Sequence, residues 1–198
     1  GLVVIKPSGV PYEELTADNM VICDLCGKVI EGDLRPSSDL ATHLVLYKAF
    51  PGIGGVTHTH SMYATSFAQA GKAIVPYGTT HADYFDGEIP CTRKMKKAEI
   101  ASDYEKNTGL VIAQTFAKTD PDRMHAVLVH SHGPFTWGKD PVASVEASVV
   151  LENVAQLAMN TELLQHTAEC TAQRPMQKEL LRKHFDRKHG PGAYYGQK

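Results

Sequence analysis

The sequence predicts one α/β domain, spanning residues 1–198, in which a mostly antiparallel sheet is layered with helices. Three observations predict it. Short β-rich apolar runs at 2–5, 20–30, 56–60 and 125–132 are bounded by turn-forming residues. Segments between and after them carry apolar residues at helical spacing, as at Leu40, Leu44 and Tyr47. The 198 residues suffice for one domain with a sizeable core, and no repeat, low-complexity segment or long linker divides them.

Each element has its own signal. Leu2 to Ile5 is a strand ended by the turn-forming Lys6-Pro7-Ser8-Gly9. The chain opens on this strand at Gly1, so further N-terminal residues are expected ahead of it. Pro11 to Asn19 reads as a short helix or turn, and residues 20–30 as a hairpin turning at Gly27. Ser37-Ser38-Asp39 supplies capping side chains to a helix running to about Phe50. A loop from Pro51 to Gly55 feeds the strand Val56 to His60, and a helix from about Met62 to Ala70 follows. Residues 73–92 read as irregular or short-stranded. A helix from Ala98 to Ala117 is expected to break near Asn107-Thr108-Gly109. The strand His125 to His132 turns at Gly133-Pro134 into Phe135-Thr136-Trp137-Gly138. A long helix from Pro141 to Thr167 offers Val142, Val145, Val149, Leu151, Val154 and Leu157 for burial. A last helix, Pro175 to His189, leads into a tail ending Tyr194-Tyr195-Gly196-Gln197-Lys198.

Composition narrows the function. The formal net charge of -2 gives no broad attraction to nucleic acid or to an anionic membrane, so an anionic ligand needs a local site. No apolar run is read as approaching the roughly 20 residues of a membrane helix, and no secretory signal opens the chain. No GxGxxG follows a strand and no GxxxxGK[ST] occurs, which leaves nicotinamide chemistry on a dinucleotide-binding fold unsupported. Cys23-Asp24-Leu25-Cys26 has no second cysteine pair to complete a zinc site, and reads as part of the hairpin. Cysteine usage fits a reducing, cytoplasmic setting.

The ten histidines are informative by placement. His58-Thr59-His60 ends one predicted strand and His130-Ser131-His132 another. Residues two apart in a strand share a face, so each pair presents two imidazoles side by side. Catalytic zinc takes three protein ligands and an open position, and imidazole is a common one. Spacing alone does not choose between His130 and His132, and it leaves a carbonic-anhydrase-like three-histidine site open. A metallo-β-lactamase pattern fails, because Ser61-Met62-Tyr63 follows His60 where Asp-His is needed. Lys6-Pro7-Ser8-Gly9 and Ser37-Ser38 place small hydroxyl groups beside accessible backbone N–H groups, the second at a helix N-terminus that favours an anion.

Together Lys6-Pro7-Ser8-Gly9, Ser37-Ser38-Asp39, His58-Thr59-His60 and His132-Gly133-Pro134 resemble the class II aldolase and adducin head family across essentially the whole chain. The resemblance implies a zinc or similar divalent ion, one per chain, on His58, His60 and His132 with Asp39 as a further ligand. It implies a substrate phosphate on Lys6, Ser8, Gly9, Ser37 and Ser38. Asp39 after Ser-Ser, the stretch Thr79-Thr80-His81-Ala82-Asp83-Tyr84-Phe85 and the tyrosine-rich ending are similar to the epimerase branch. That likeness implies Asp83 and Tyr195 as the acid/base pair, with His184 nearby. The implied reaction interconverts L-ribulose 5-phosphate and D-xylulose 5-phosphate. The C3–C4 bond breaks to an enediolate and glycolaldehyde phosphate, the aldehyde turns, and the bond re-forms. A metal supplies Lewis-acid stabilisation. The implied assembly is a homotetramer with sites at subunit interfaces, in the cytoplasm, with no nucleic-acid or membrane partner. The rival implications are a sugar-phosphate aldolase and a non-catalytic, adducin-head-like interaction domain. The family's Gly-Asn-X-Ser segment has no match in this chain.

Overall fold

The computed structural model describes residues 1–167 and 175–195, without the side chains of His166 and Thr167. Cys170 and the ending Gly196-Gln197-Lys198 lie outside the described residues. In chain order the elements are β1 (Leu2–Ile5), β2 (Val21–Asp24), β3 (Val29–Glu31), α1 (Leu40–Ala49), β4 (Gly55–His58) and α2 (Met62–Ala70). Then come the one-turn α3 (Thr79–Ala82), α4 (Lys97–Ala101), α5 (Tyr104–Thr115), β5 (Ala126–Leu128), β6 (Pro134–Gly138), α6 (Pro141–Thr167) and α7 (Lys178–His189). Every strand pair is antiparallel, in two three-stranded sheets ordered β1-β2-β3 and β4-β6-β5. The α/β, antiparallel reading of the sequence stands.

The chain divides into two compact units. The first comprises Gly1–Pro51 and Met95–Gln114. Alternation along β1 buries Val3 and Ile5 and exposes Leu2 and Val4. Val21 and Cys23 of β2 join that buried face, and Leu40 and Leu44 of α1 cover it with Leu25 and Tyr47. Cys23 is therefore a core residue, while Cys26 is exposed at the hairpin turn, so the pair does not face one site. The break expected near Asn107 falls instead at Ser102-Asp103, between α4 and α5. Asn107 stays helical because its Nδ2 donates to Glu99 O at 2.9 Å and Ser102 Oγ at 2.9 Å, tying α5 to the end of α4. Gly109 stays helical because α5 crosses α1 there: a Cβ would lie 2.7 Å from Val45 Cβ.

The second unit comprises Gly52–Lys94 and Thr115–Lys198. In it β4 pairs with β6 in the register Gly55↔Gly138, Val56↔Trp137, Thr57↔Thr136 and His58↔Phe135. Helix α6 lies on β4 and β6. Its buried face is Ser144, Ala147, Ser148, Leu151, Val154, Ala155 and Ala158. Four residues expected in the core are exposed instead: Val142, Val145, Val149 and Leu157. Small residues won that face because the helix runs close to the sheet, with Ser144 Oγ 2.9 Å from Thr57 Oγ1 and Ser144 O accepting from Thr136 Oγ1 at 2.9 Å. The same valines and alanines correct a second expectation. The stretch Pro141–Gln165 reaches a mean hydropathy of 1.2 over 18 residues, enough by length and composition alone for a span. One face of it packs on β4 and β6, and 33% of that window is buried.

Candidate functional site

Strand β4 ends at His58, two residues short of the expected His60. His58 nevertheless meets His60 and His132, the partners that the resemblance implies. Ring nitrogens of His58, His60 and His132 all lie within 4.8 Å of one another. Among the described residues this is the one such convergence of His, Cys, Asp or Glu side chains. The three rings stand steeply to each other, with centroids 4.9, 4.8 and 5.1 Å apart.

Backbone geometry explains why His132 joins and His130 does not. The strand expected over His125 to His132 stops at Leu128. Ser131 adopts a left-handed φ of 62°, and the two histidines no longer share a face. This costly conformation is held by hydrogen bonds: Ser131 N–H donates to Ala68 O (2.8 Å), His132 N–H to Val129 O (3.0 Å) and Val129 N–H to Gly133 O (2.9 Å). The His130 ring instead sits against Gly71 at the end of α2, 2.7 Å from Ser131 Oγ.

The donor chemistry of the triad suits a cation. His58 Nδ1–H donates to Pro134 O at 2.8 Å, which leaves Nε2 as a lone pair. That Nε2 faces His60 Nε2 at 3.2 Å. Two such lone pairs repel unless a proton or a metal ion lies between them. The ring of His58 also stacks on Phe135 at 4.0 Å, which fixes its plane. Gly133 is required by close approach: a Cβ there would meet Thr59 O at 2.8 Å and His60 Cδ2 at 3.1 Å. Glu152 of α6 accepts from Tyr63 N–H (2.8 Å) and Ala64 N–H (3.0 Å), anchoring the start of α2 directly after His60. Sequence reading missed Glu152, and no local signal marks it.

Elsewhere in the same unit a second cluster forms around Asp83. Asp83 follows α3, where its N–H donates to Thr79 O at 2.9 Å. Its carboxylate accepts from His184 Nδ1 (2.9 Å) and in a fork from Arg187 NH2 (2.8 and 3.0 Å) and Nε (3.2 Å). Lys188 Nζ lies 3.6 Å away, and His189 Nε2 donates to Asp83 O at 2.9 Å. Burial pushes the Asp83 carboxyl up, but the bonds from Arg187 and His184 and the Lys188 charge outweigh it and hold it below its ordinary value. Tyr195 is joined to the same cations, its ring 4.7 Å from the Arg187 guanidinium and 4.9 Å from Lys188. Asp83, His184 and Tyr195, singled out by the sequence, thus come together within one chain. Arg187 and Lys188 were missed; their signal is the i+3 and i+4 spacing from His184 on α7.

Neighbouring His81 is buried and tied by Nε2–H to Gly87 O at 2.6 Å. Burial pushes its pKa down to about 4, so it stays neutral and braces α3.

In the first unit the backbone joins the two segments that the resemblance assigns to phosphate. Ser8 N–H donates to Arg35 O (2.9 Å) and Ser37 N–H to Lys6 O (3.0 Å), with Pro7 bridged to Pro36. Ser37 is buried, while Gly9 has φ 73° and open space where a Cβ would be. Lys6 Nζ lies 5.5 Å from the Tyr12 ring centroid, and Ser38 precedes the N-cap of α1. That N-cap is Asp39, whose N–H lies 3.4 Å from Ser37 Oγ. The ligand role given to Asp39 rests on the resemblance alone.

Comparison with known proteins adds lineage to this geometry. Residues 1–159 match the model of the "Class II Aldolase and Adducin N-terminal domain". The chain is 53% identical over 198 residues to an L-ribulose-5-phosphate 4-epimerase UlaF of Salmonella paratyphi C, covering all of this chain and 85% of that one. It is 52% identical over the same span to the protein of that name from Salmonella typhi. Among solved structures its fold is like that of an L-fuculose 1-phosphate aldolase, with a TM-score of 0.71 and 21% identity over 92% of this chain and 79% of that one. It is also like an aldolase II superfamily protein from Pseudomonas syringae, with a TM-score of 0.72 and 18% identity over 96% and 72%.

Gly133→Ala tests the triad's packing. The added methyl pushes on Thr59 O and the His60 ring, so divalent-metal affinity falls about 10–100-fold, the scale seen when groups orienting metal ligands are disturbed. Titration of the metal-free protein with zinc checks this, and an unchanged affinity contradicts the role assigned to Gly133.

Proposed function

The chain belongs to the class II aldolase and adducin family, and on that premise we propose that it is an L-ribulose-5-phosphate 4-epimerase that uses a divalent metal, zinc by its donor set. The observation that carries the metal is the convergence of His58, His60 and His132 within 4.8 Å, with the His58 tautomer set by Pro134. The observation that carries epimerisation is the likeness to curated 4-epimerases over the whole chain.

Each group then has a task. A metal on the triad supplies Lewis-acid stabilisation of the negative charge that develops on the sugar oxygens. Lys6, Ser8, Gly9, Ser37 and Ser38 hold the phosphate through N–H, hydroxyl and ammonium donors. C4 carries no acidic hydrogen, so its inversion requires that the C3–C4 bond break and re-form. Asp83, held as a carboxylate, is suited to accept the C4 hydroxyl proton. Tyr195 returns a proton to the C4 oxygen on the opposite face once the aldehyde has turned. His184 holds Asp83 through Nδ1. A phosphorylated pentulose as substrate implies a cytoplasmic setting.

We assign the active form to a homotetramer with sites at subunit interfaces, the exposed Val142, Val145 and Val149 of α6 offering apolar surface for contact. Asp83 and Tyr195 share Arg187 and Lys188 within one chain. A neighbour would therefore donate the whole acid/base cluster to another chain's metal centre.

The direct test is metal-loaded protein with L-ribulose 5-phosphate, products identified by NMR. The expected product is D-xylulose 5-phosphate. Accumulation of dihydroxyacetone and glycolaldehyde phosphate would make it an aldolase, and a metal-bound protein with no turnover would make it an interaction domain. Subunit sharing is tested by mixing inactive His60→Ala and Asp83→Asn chains. A shared site restores activity in the hybrids, because some interfaces pair an intact triad with an intact Asp83. Hybrids that assemble and stay inactive mean that each chain completes its own site.

A further inference from the structure

Asp83 and Tyr195 are far apart in sequence, yet one residue meets both. The guanidinium of Arg187 grips both oxygens of Asp83, at 2.8 Å to Oδ2 and 3.0 Å to Oδ1 from NH2, with Nε at 3.2 Å from Oδ1. It also lies 4.7 Å from the Tyr195 ring centroid. The Arg187 carbonyl takes two further bonds, from Tyr194 N–H (3.0 Å) and Tyr195 N–H (3.1 Å), which fix the chain at the tyrosine itself. Its main chain thus places the Tyr195 backbone, and its side chain places the Asp83 carboxylate and packs against the Tyr195 ring.

We infer that Arg187 is the positioning residue of the proton-transfer pair, setting the separation and orientation of Asp83 and Tyr195 and acting through them rather than on the sugar itself. The inference rests on the epimerase reading for the meaning of that pair. A guanidinium suits this task where an ammonium does not. Its planar fork fixes a carboxylate in two contacts and presents a flat, weakly hydrated cation to an aromatic ring. Lys188 shares the charge but not the fork: its Nζ lies 3.6 Å from Asp83 Oδ2, 4.3 Å from the Tyr84 ring centroid and 4.9 Å from that of Tyr195.

Among the described residues, the charged and imidazole groups facing Asp83 come from α7 and from its own turn. From α7 come His184, Arg187 and Lys188 at the carboxylate and His189 at the carbonyl. From its own helix, His81 is neutral and committed to Gly87. Arg187 carries a permanent positive charge, so its removal raises the pH at which Asp83 loses its proton. A base must be deprotonated to act, so the acid limb of the kcat/KM profile moves to higher pH as well.

The experiment is a carbon-13 carboxyl titration of Asp83 in the full chain, with kinetics, for wild type, Arg187→Gln and Arg187→Lys. In Arg187→Gln the Asp83 titration moves up, the acid limb follows, and kcat falls up to about 100-fold while KM changes little. Arg187→Lys keeps the titration close to wild type but not the rate, because charge survives and the fork does not. A purely structural role would lower kcat without moving the titration. An Asp83 titration unchanged in Arg187→Gln overturns the inference. If that variant does not fold, a wild-type kcat in Arg187→Lys overturns it equally. The titration needs no turnover, so a wild-type protein that binds metal but does not epimerise overturns the functional reading separately from the Arg187–Asp83 coupling.

Discussion

The antiparallel pairing of β4 with β6 sets His58 opposite Phe135, and the histidine triad follows from that register. Phe135 lies under the His58 ring at 4.0 Å, and Pro134, the first residue of β6, offers its carbonyl to Nδ1 at 2.8 Å. One strand pair thus fixes both the plane and the tautomer of His58. The turn that feeds β6 carries His132, so the same pairing delivers the third imidazole. A register slip of one residue would turn His58 to the other face and lose all of this at once. The buried face of α6 secures the pairing from behind, with Ser144 bonded to both Thr57 and Thr136.

The Asp83 cluster is built by different means. It depends on charge rather than on strand register. Three cationic or imidazole groups of α7 converge on one carboxylate whose side chain is 15% exposed. Burial alone would favour the neutral acid, and the paired cations reverse that. The chain therefore supplies two kinds of site in one unit, a neutral-donor triad suited to a cation and an ionised carboxylate suited to a proton. Metal-assisted carbon–carbon cleavage with controlled protonation calls for both.

Much of this was legible in the sequence where local period governs. The strand Leu2–Ile5, the helix Met62–Ala70 and the placing of His58 and His60 side by side were all read from local sequence. The failures have physical causes. His130 reads as a partner of His132 only if the strand continues, and a serine in the left-handed region carries no signal of the kind a glycine or asparagine would. The valines of α6 read as core, but close approach to the sheet selects Ala and Ser instead. Arg187 sits on a helix dense with charge, where a basic residue reads as solvated surface, and its partner lies 104 residues away. The segments Lys6–Gly9 and Ser37-Ser38 were visible separately. Their backbone pairing through Ser8 and Ser37 is long-range and was not.

The central claim is that the β4–β6 register prepares His58 to bind a metal through Nε2. Diffraction from zinc-loaded crystals, recorded across the zinc absorption edge, tests it most directly. The account predicts one anomalous peak per chain, within bonding distance of His58 Nε2, His60 and His132, with His58 Nδ1 still donating to Pro134 O. A peak elsewhere, or a His58 ring turned to ligate through Nδ1, would contradict it.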